Sequence, residues 1–200
     1  MLIFFKTYGF YGSIRVIISL LYTKLFFPNA RLIRLPIDIR NKSSIDLGTG
    51  LTTGVGCRIE AYPKIKGIVL SFGSNVQLND YVHITASKSV KIGNNVLMAS
   101  RIYISDTSHG SYAGDKDDSH PDTPPNLRPL FHKSVVIEDN VWIGENVSIL
   151  PGANIGRGVV VGANSVVKGN IPAYTIAVGA PAKIIKQFNF ETKRWESIKR

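Results

Sequence analysis

His109 is the side chain in this sequence best suited to general-base chemistry. It stands in the stretch ISDTSHGSY, and a neutral imidazole titrates in the range needed to take a proton from a hydroxyl as its oxygen attacks a carbonyl. Asp106, three residues earlier, has two readings. It either holds the imidazole in one tautomer, as the acid of a catalytic triad does, or makes an Asx turn at the entrance of a loop. The single cysteine, Cys57, falls at an inward position of the repeat described below and reads as core rather than as a nucleophile. With no covalent nucleophile apparent, any group transfer at this site is expected to be direct, in a ternary complex, rather than ping-pong. One cysteine also excludes a disulfide framework and a Cys-cluster metal site, which points to a reducing, cytoplasmic compartment.

The elements that position these residues follow from a period of six running from about Leu47 to Val167. Every sixth residue from Ile137 reads Ile137, Ile143, Ile149, Ile155, Val161 and Val167, and the positions four further on are Val141, Val147, Ala153, Val159, Ser165 and Ile171. Upstream the same series reads Ile92, Met98, Ile104, then Phe72, Leu78, Ile84, and earliest Leu47, Thr53, Ile59, Ile65. A helix would repeat at three and four, and a strand at two. A strict six fits a solenoid whose coil has three flat sides, with an aliphatic pointing into a narrow core and glycine (Gly144, Gly156, Gly162) easing the corner.

Two breaks interrupt the register. Eight positions separate Ile84 from Ile92, a two-residue bulge. Residues 110–130, rich in Gly, Pro and Asp, cannot form a repeat face and are expected to extrude as a loop beside His109. A solenoid must also cover its open ends. The chain thus divides into an N-terminal amphipathic basic cap at 1–42, a β-helix at 43–181 and a basic tail at 182–200.

Hydrophobic content of 44% and charged content of 19% suit a single globular domain. The net charge of +10 sits on the two ends. Residues 1–42 carry seven Lys/Arg against one Asp, residues 183–200 six Lys/Arg against two Glu, and the middle holds eleven of each sign. A charge so placed, with no nucleic-acid motif between, argues against a nucleic-acid partner. Lys6, Arg15 and Lys24 interrupt the apolar first 27 residues too often for a spanning helix, and no signal-peptide cleavage signature follows. That segment either packs on the protein as a lid or lies on a membrane surface.

The stretch NVWIGENVSILPGANIGRGVVVGANSVVKGNIPAYTIAVGAPAKIIK closely resembles the hexapeptide acyltransferase superfamily. TTGVGCRIEA, ISDTSHGSY with TPPNLRPL, and FNFETKRW are similar to bacterial O-antigen, capsule and colanic-acid O-acetyltransferases, relatives of the maltose and galactoside acetyltransferases. The resemblance implies an all-β, left-handed parallel β-helix; sequence alone does not fix the hand, since parallel crossovers are usually right-handed. It implies transfer of an acetyl group from acetyl-CoA to a sugar hydroxyl in surface polysaccharide biosynthesis, with His109 as base and a homotrimer as the working state. It places acetyl-CoA at Trp142, Ala163, Ser165, Lys168, Lys183 and Lys186, the lysines suiting the cofactor's phosphates.

The chain departs from that pattern in three places. Thr107 and Ser108 stand where relatives often carry a second histidine and an asparagine. Gly169 stands where a lysine is usual, and lysines 183 and 186 where arginines are common. Zinc-binding members of this fold use a close histidine pair; here His109, His120 and His132 are eleven and twelve residues apart, so no metal is expected. Competing readings keep the donor but change the acceptor to an amino sugar, an amino acid or an antibiotic, or make the chain a noncatalytic scaffold.

Overall fold

The computed structural model describes residues 2–198, and side chains from Lys6 onward; the last two residues of the basic tail lie outside the described residues. The chain winds into a three-sided parallel β-helix. Its faces are a nine-stranded sheet and two six-stranded sheets, and a two-stranded antiparallel ribbon stands apart from them. The aliphatics at six-residue spacing are the core: Ile143, Ile149 and Ile155 are wholly buried, as are Val147 and Val159 at the second inward position. Each stacks on its counterpart one coil away, as in the register Ile92 to Ile137 to Ile155 to Ile171.

Glycine eases some corners, as at Gly56 and Gly158 with their positive φ, but it shares the task. Asparagine carries the left-handed backbone at Asn75, Asn95, Asn140, Asn146 and Asn164. Its short amide tolerates that region, and it bonds the asparagine of the next coil, as from Asn95 Nδ2 to Asn140 Oδ1 at 3.3 Å. Gly144 answers a different need. A Cβ there would lie 2.6 Å from the backbone nitrogen of Ala163, so only glycine lets successive coils approach.

The solenoid starts earlier than residue 43. Leu32–Ile33 and Ile37–Arg40 already pair in parallel with the following coil, so the expected cap from residue 32 onward belongs to the β-helix. Ile65, read as a repeat position, is 84% exposed in the turn after Ala61; the next inward residues are Leu70 and Phe72. The other end closes with an antiparallel hairpin, Lys183–Asn189 and Arg194–Ser197, added to the nine-stranded sheet. There Tyr174, Phe188, Phe190 and Trp195 meet edge to face, with ring centroids about 5 Å apart.

Helix α1, Leu2–Phe26, closes the first coil and is kinked at Gly9. A parallel solenoid leaves unpaired N–H groups at its open edge. Thr23 Oγ1 accepts the N–H of Ile33 at 2.8 Å, and Ser19 Oγ accepts that of Leu35 at 3.1 Å.

Candidate active site

His109 ends the strand Thr107–His109, which leaves the coil and pairs antiparallel with Leu130–His132. Its side chain is exposed at the foot of the extruded loop. The loop is ordered by Arg128, whose Nε and Nη2 bond the carbonyls of Thr123 and Pro121, each at 2.8 Å, and whose Nη1 bonds the Tyr112 hydroxyl at 2.7 Å. Tyr112 in turn donates to the His109 carbonyl at 2.5 Å. The loop therefore clamps the backbone that carries the His109 imidazole.

Asp106 shows neither of the two arrangements its position allows. It is wholly buried, and its carboxylate accepts the N–H groups of Ser87, Lys88 and Ser89 at 2.7–2.9 Å and the Thr107 hydroxyl at 2.8 Å. Among the described residues no hydrogen bond joins it to His109. Neither sequence reading describes this: the two-residue bulge after Ile84 is the turn that Asp106 fastens, so the acid fixes the departure point of the ribbon.

The site also contains a second imidazole that sequence reasoning considered only as a metal ligand. Thr107 Oγ1 lies 2.9 Å from His132 Nδ1. An ionised carboxylate can only accept, so the Thr107 proton goes to Asp106 and His132 Nδ1 must donate. The neutral ring then carries its lone pair on Nε2, which is buried and has no partner among the described residues. Burial, reinforced by Lys64 and Lys88 against the opposing pull of Asp106, lowers the His132 pKa. Thr107 and His109 share one face of the ribbon, which places His132 on the diagonal from His109, within reach of a long side chain.

Below the ribbon, the same sheet face carries a polar cluster centred on Glu60, whose side chain is 4% exposed. It accepts from Arg58 Nε at 2.9 Å, Tyr62 Oη at 3.0 Å and Arg40 Nη1 at 3.3 Å, and its other oxygen meets His83 Nε2 at 3.0 Å. Burial alone would raise this carboxyl; the bonds from His83, Arg58 and Tyr62 more than reverse that and hold it below the usual glutamate value. Tyr103 packs against His83 with centroids 5.3 Å apart. The register runs Glu60 to Thr85 to Ser105, the residue before Asp106. The cluster and the ribbon thus form one continuous wall.

The residues expected at the donor divide into three groups. Lys168 and Lys183 line a single cleft of about 540 Å³ with Asn170, Ile171, Ala182 and Ile184. Trp142, 52% exposed, heads an outward column of the nine-stranded sheet that continues through Val160 and Ile176 to Lys186, and Ala163 is exposed at the adjoining corner. Ser165 is the exception: it is wholly buried and its hydroxyl accepts the Gly179 N–H at 3.0 Å, so its side chain serves the solenoid rather than a ligand. Cys57 is buried, its thiol 3.1 Å from the Asn79 carbonyl and pushed up to about 11 by burial, which makes it a poor nucleophile. Among the described residues no three His, Cys, Asp or Glu side chains converge as a metal site would require.

The family described as "Bacterial transferase hexapeptide (six repeats)" matches residues 134–169. Over 191 residues the chain is 50% identical to WbbJ of Escherichia coli (strain K12), named a lipopolysaccharide biosynthesis O-acetyl transferase, and the match covers 96% of each chain. The chain belongs to the hexapeptide-repeat acetyltransferases. The galactoside O-acetyltransferase of Escherichia coli (strain K12) is 30% identical over 80% of this acetyltransferase and 75% of its own length. A variant of AntD, an N-acyltransferase from Bacillus cereus, in complex with dTDP-4-amino-4,6-dideoxyglucose and Coenzyme A, superposes with a TM-score of 0.68 over 86% of this chain and 90% of its own, at 23% identity. The fold of this acetyltransferase is accordingly the left-handed parallel β-helix.

Proposed function

We propose that this acetyltransferase moves the acetyl group of acetyl-CoA to a sugar hydroxyl in the assembly of a surface polysaccharide, with His109 as general base. The observation that carries the reading is the 50% identity to WbbJ across nearly the whole of both chains. The chemistry follows from the site. His109 takes the proton of the acceptor hydroxyl while its oxygen attacks the thioester carbonyl; collapse of the tetrahedral adduct breaks the C–S bond, and the proton passes from His109 to the departing thiolate. The wall from Glu60 to Tyr103 supplies planar polar groups and an aromatic surface, the chemistry a pyranose ring needs, and takes the acceptor. The cleft of Lys168 and Lys183 receives donor phosphates, while Trp142, Ala163 and Lys186 line the path of the pantetheine arm.

The working state is a cytoplasmic homotrimer. Trp142 and Leu97 are neighbours on the nine-stranded face, 52% and 39% exposed, and an apolar column so placed is covered by a neighbouring copy or by the donor. The test is the product. Incubation with acetyl-CoA and a panel of free, nucleotide-linked and lipid-linked sugars should yield an acetyl group released by mild alkali, as an ester is. An alkali-stable amide would move the acceptor to an amino group, and CoA release indifferent to every sugar would remove the sugar from the reaction.

A further inference from the structure

Helix α1 buries its hydroxylic side and exposes its apolar one. Ser13, Val16, Ser19 and Thr23 are at most 4% exposed and face the solenoid, where the hydroxyls of Ser19 and Thr23 accept the edge N–H groups of Leu35 and Ile33. These bonds fix the rotation of the helix about its axis. At 3.6 residues per turn the opposite side gathers Tyr11, Ile14, Ile17, Ile18, Leu21 and Leu25 into a stripe about 120° wide. All six are exposed, from 39% at Ile14 to 74% at Tyr11 and Leu25. Arg15 borders the stripe on one side and Lys24 on the other, and the first acidic residue in the sequence is Asp38.

We propose that this face of α1 docks on an anionic lipid bilayer, the stripe entering the acyl boundary while Arg15 and Lys24 meet lipid phosphates. Apolar width flanked by cations on both sides is the arrangement a helix needs to lie in the interface plane, and no helix among the described residues is long and apolar enough to cross. The flanking charge decides between occupants. Two copies meeting through this face would bring cations of one sign together, whereas an anionic leaflet neutralises them, at roughly fivefold in partition per basic residue. The lid and the lipid contact are then one element: the hydroxyl side completes the first coil and the apolar side anchors the enzyme. The inference rests on the acetyltransferase reading only for its purpose, bringing the site to a lipid-carried acceptor; lipid binding itself is measured without turnover.

The full chain is floated with vesicles of phosphatidylcholine alone and of phosphatidylcholine with about a third phosphatidylglycerol, at low and high salt. The intact protein should bind the anionic vesicles at least tenfold better than the neutral ones and weaken as salt rises. Leu21→Glu and Lys24→Glu should each reduce binding to anionic vesicles about tenfold or more, with helical circular dichroism and transfer to a soluble acceptor unchanged. Failure of the intact protein to float with anionic vesicles at low salt overturns the proposal, as does a Leu21→Glu variant that floats like the parent. A Leu21→Glu variant that changes oligomeric state in sedimentation also overturns it, assigning the stripe to contact between copies.

Discussion

The Tyr112 hydroxyl donates to the carbonyl of His109, the residue proposed as the base, and receives a bond from Arg128 on the far side of the loop. A base held through its own backbone depends on its clamp, since misplacement of about 1 Å costs about a hundredfold in rate. Arg128→Ala and Tyr112→Phe are expected to lower kcat roughly tenfold or more and to change the KM for acetyl-CoA little. Steady-state kinetics with both substrates varied checks this; a Tyr112→Phe variant with parental kcat would reduce the loop to a cover.

Thr107 couples Asp106 to His132, and the pair Thr107–His132 should show it in a double-mutant cycle. Thr107→Val strands a buried His132 N–H and removes one donor from Asp106, a loss of about 1–3 kcal/mol. His132→Gln removes the ring, and the coupling energy between the two changes should be about 1 kcal/mol or more in denaturant melts. The same ring sets a pH dependence. Its native pKa lies below the ordinary 6.5, so the unfolded chain takes up this proton first as pH falls. The stability contributed is complete above pH 6.5 and declines as pH falls from there through the depressed native value. His132→Gln should flatten that part of the stability profile; an unchanged slope would mean another group titrates there. Glu60, also depressed, acts at lower pH, its contribution lost as pH falls below the usual carboxylate range.

The donor residues are separable by kinetics. Lys168 and Lys183 share a cleft, so Lys168→Ala and Lys183→Ala should raise the KM for acetyl-CoA severalfold and leave the acceptor KM unchanged, with the effect weakening as salt rises. Trp142→Ala should raise the donor KM and also loosen the assembly in sedimentation, because its column is proposed to meet a neighbouring copy. A variant with a normal donor KM would place the pantetheine arm elsewhere.

The solenoid was legible because its core is one-dimensional: Ile143, Ile149 and Ile155 repeat at six and bury at six. The same logic failed where an inward position is not aliphatic or the spacing is lost. The coil at Leu32–Ile33 is hidden because Pro36 and the polar Asp38 and Arg40 surround its few inward residues, and Ile65 matches the repeat by residue type while lying on an exposed turn. At the site, residue type, the neighbouring loop that cannot repeat and the resemblance together single out His109, whose role as base is the proposal. The Asp106–Thr107–His132 chain could not be singled out, because it joins residues 25 positions apart through a ribbon register that only folding sets. The six donor positions rest on resemblance, the cleft brings Lys168 and Lys183 together, and the buried Ser165 shows the limit of motif matching: a matched position need not present its side chain to the surface.

The central claim is that His109 takes the acceptor proton, and the most direct measurement is acceptor-dependent release of CoA by His109→Ala against the parent. Because the imidazole is exposed and only the backbone of His109 is clamped, the variant should melt like the parent. Its turnover should fall by about two to four orders of magnitude, the share general-base catalysis supplies. A folded His109→Ala enzyme releasing CoA near the parental rate in the presence of acceptor would contradict the account and move the base to another residue.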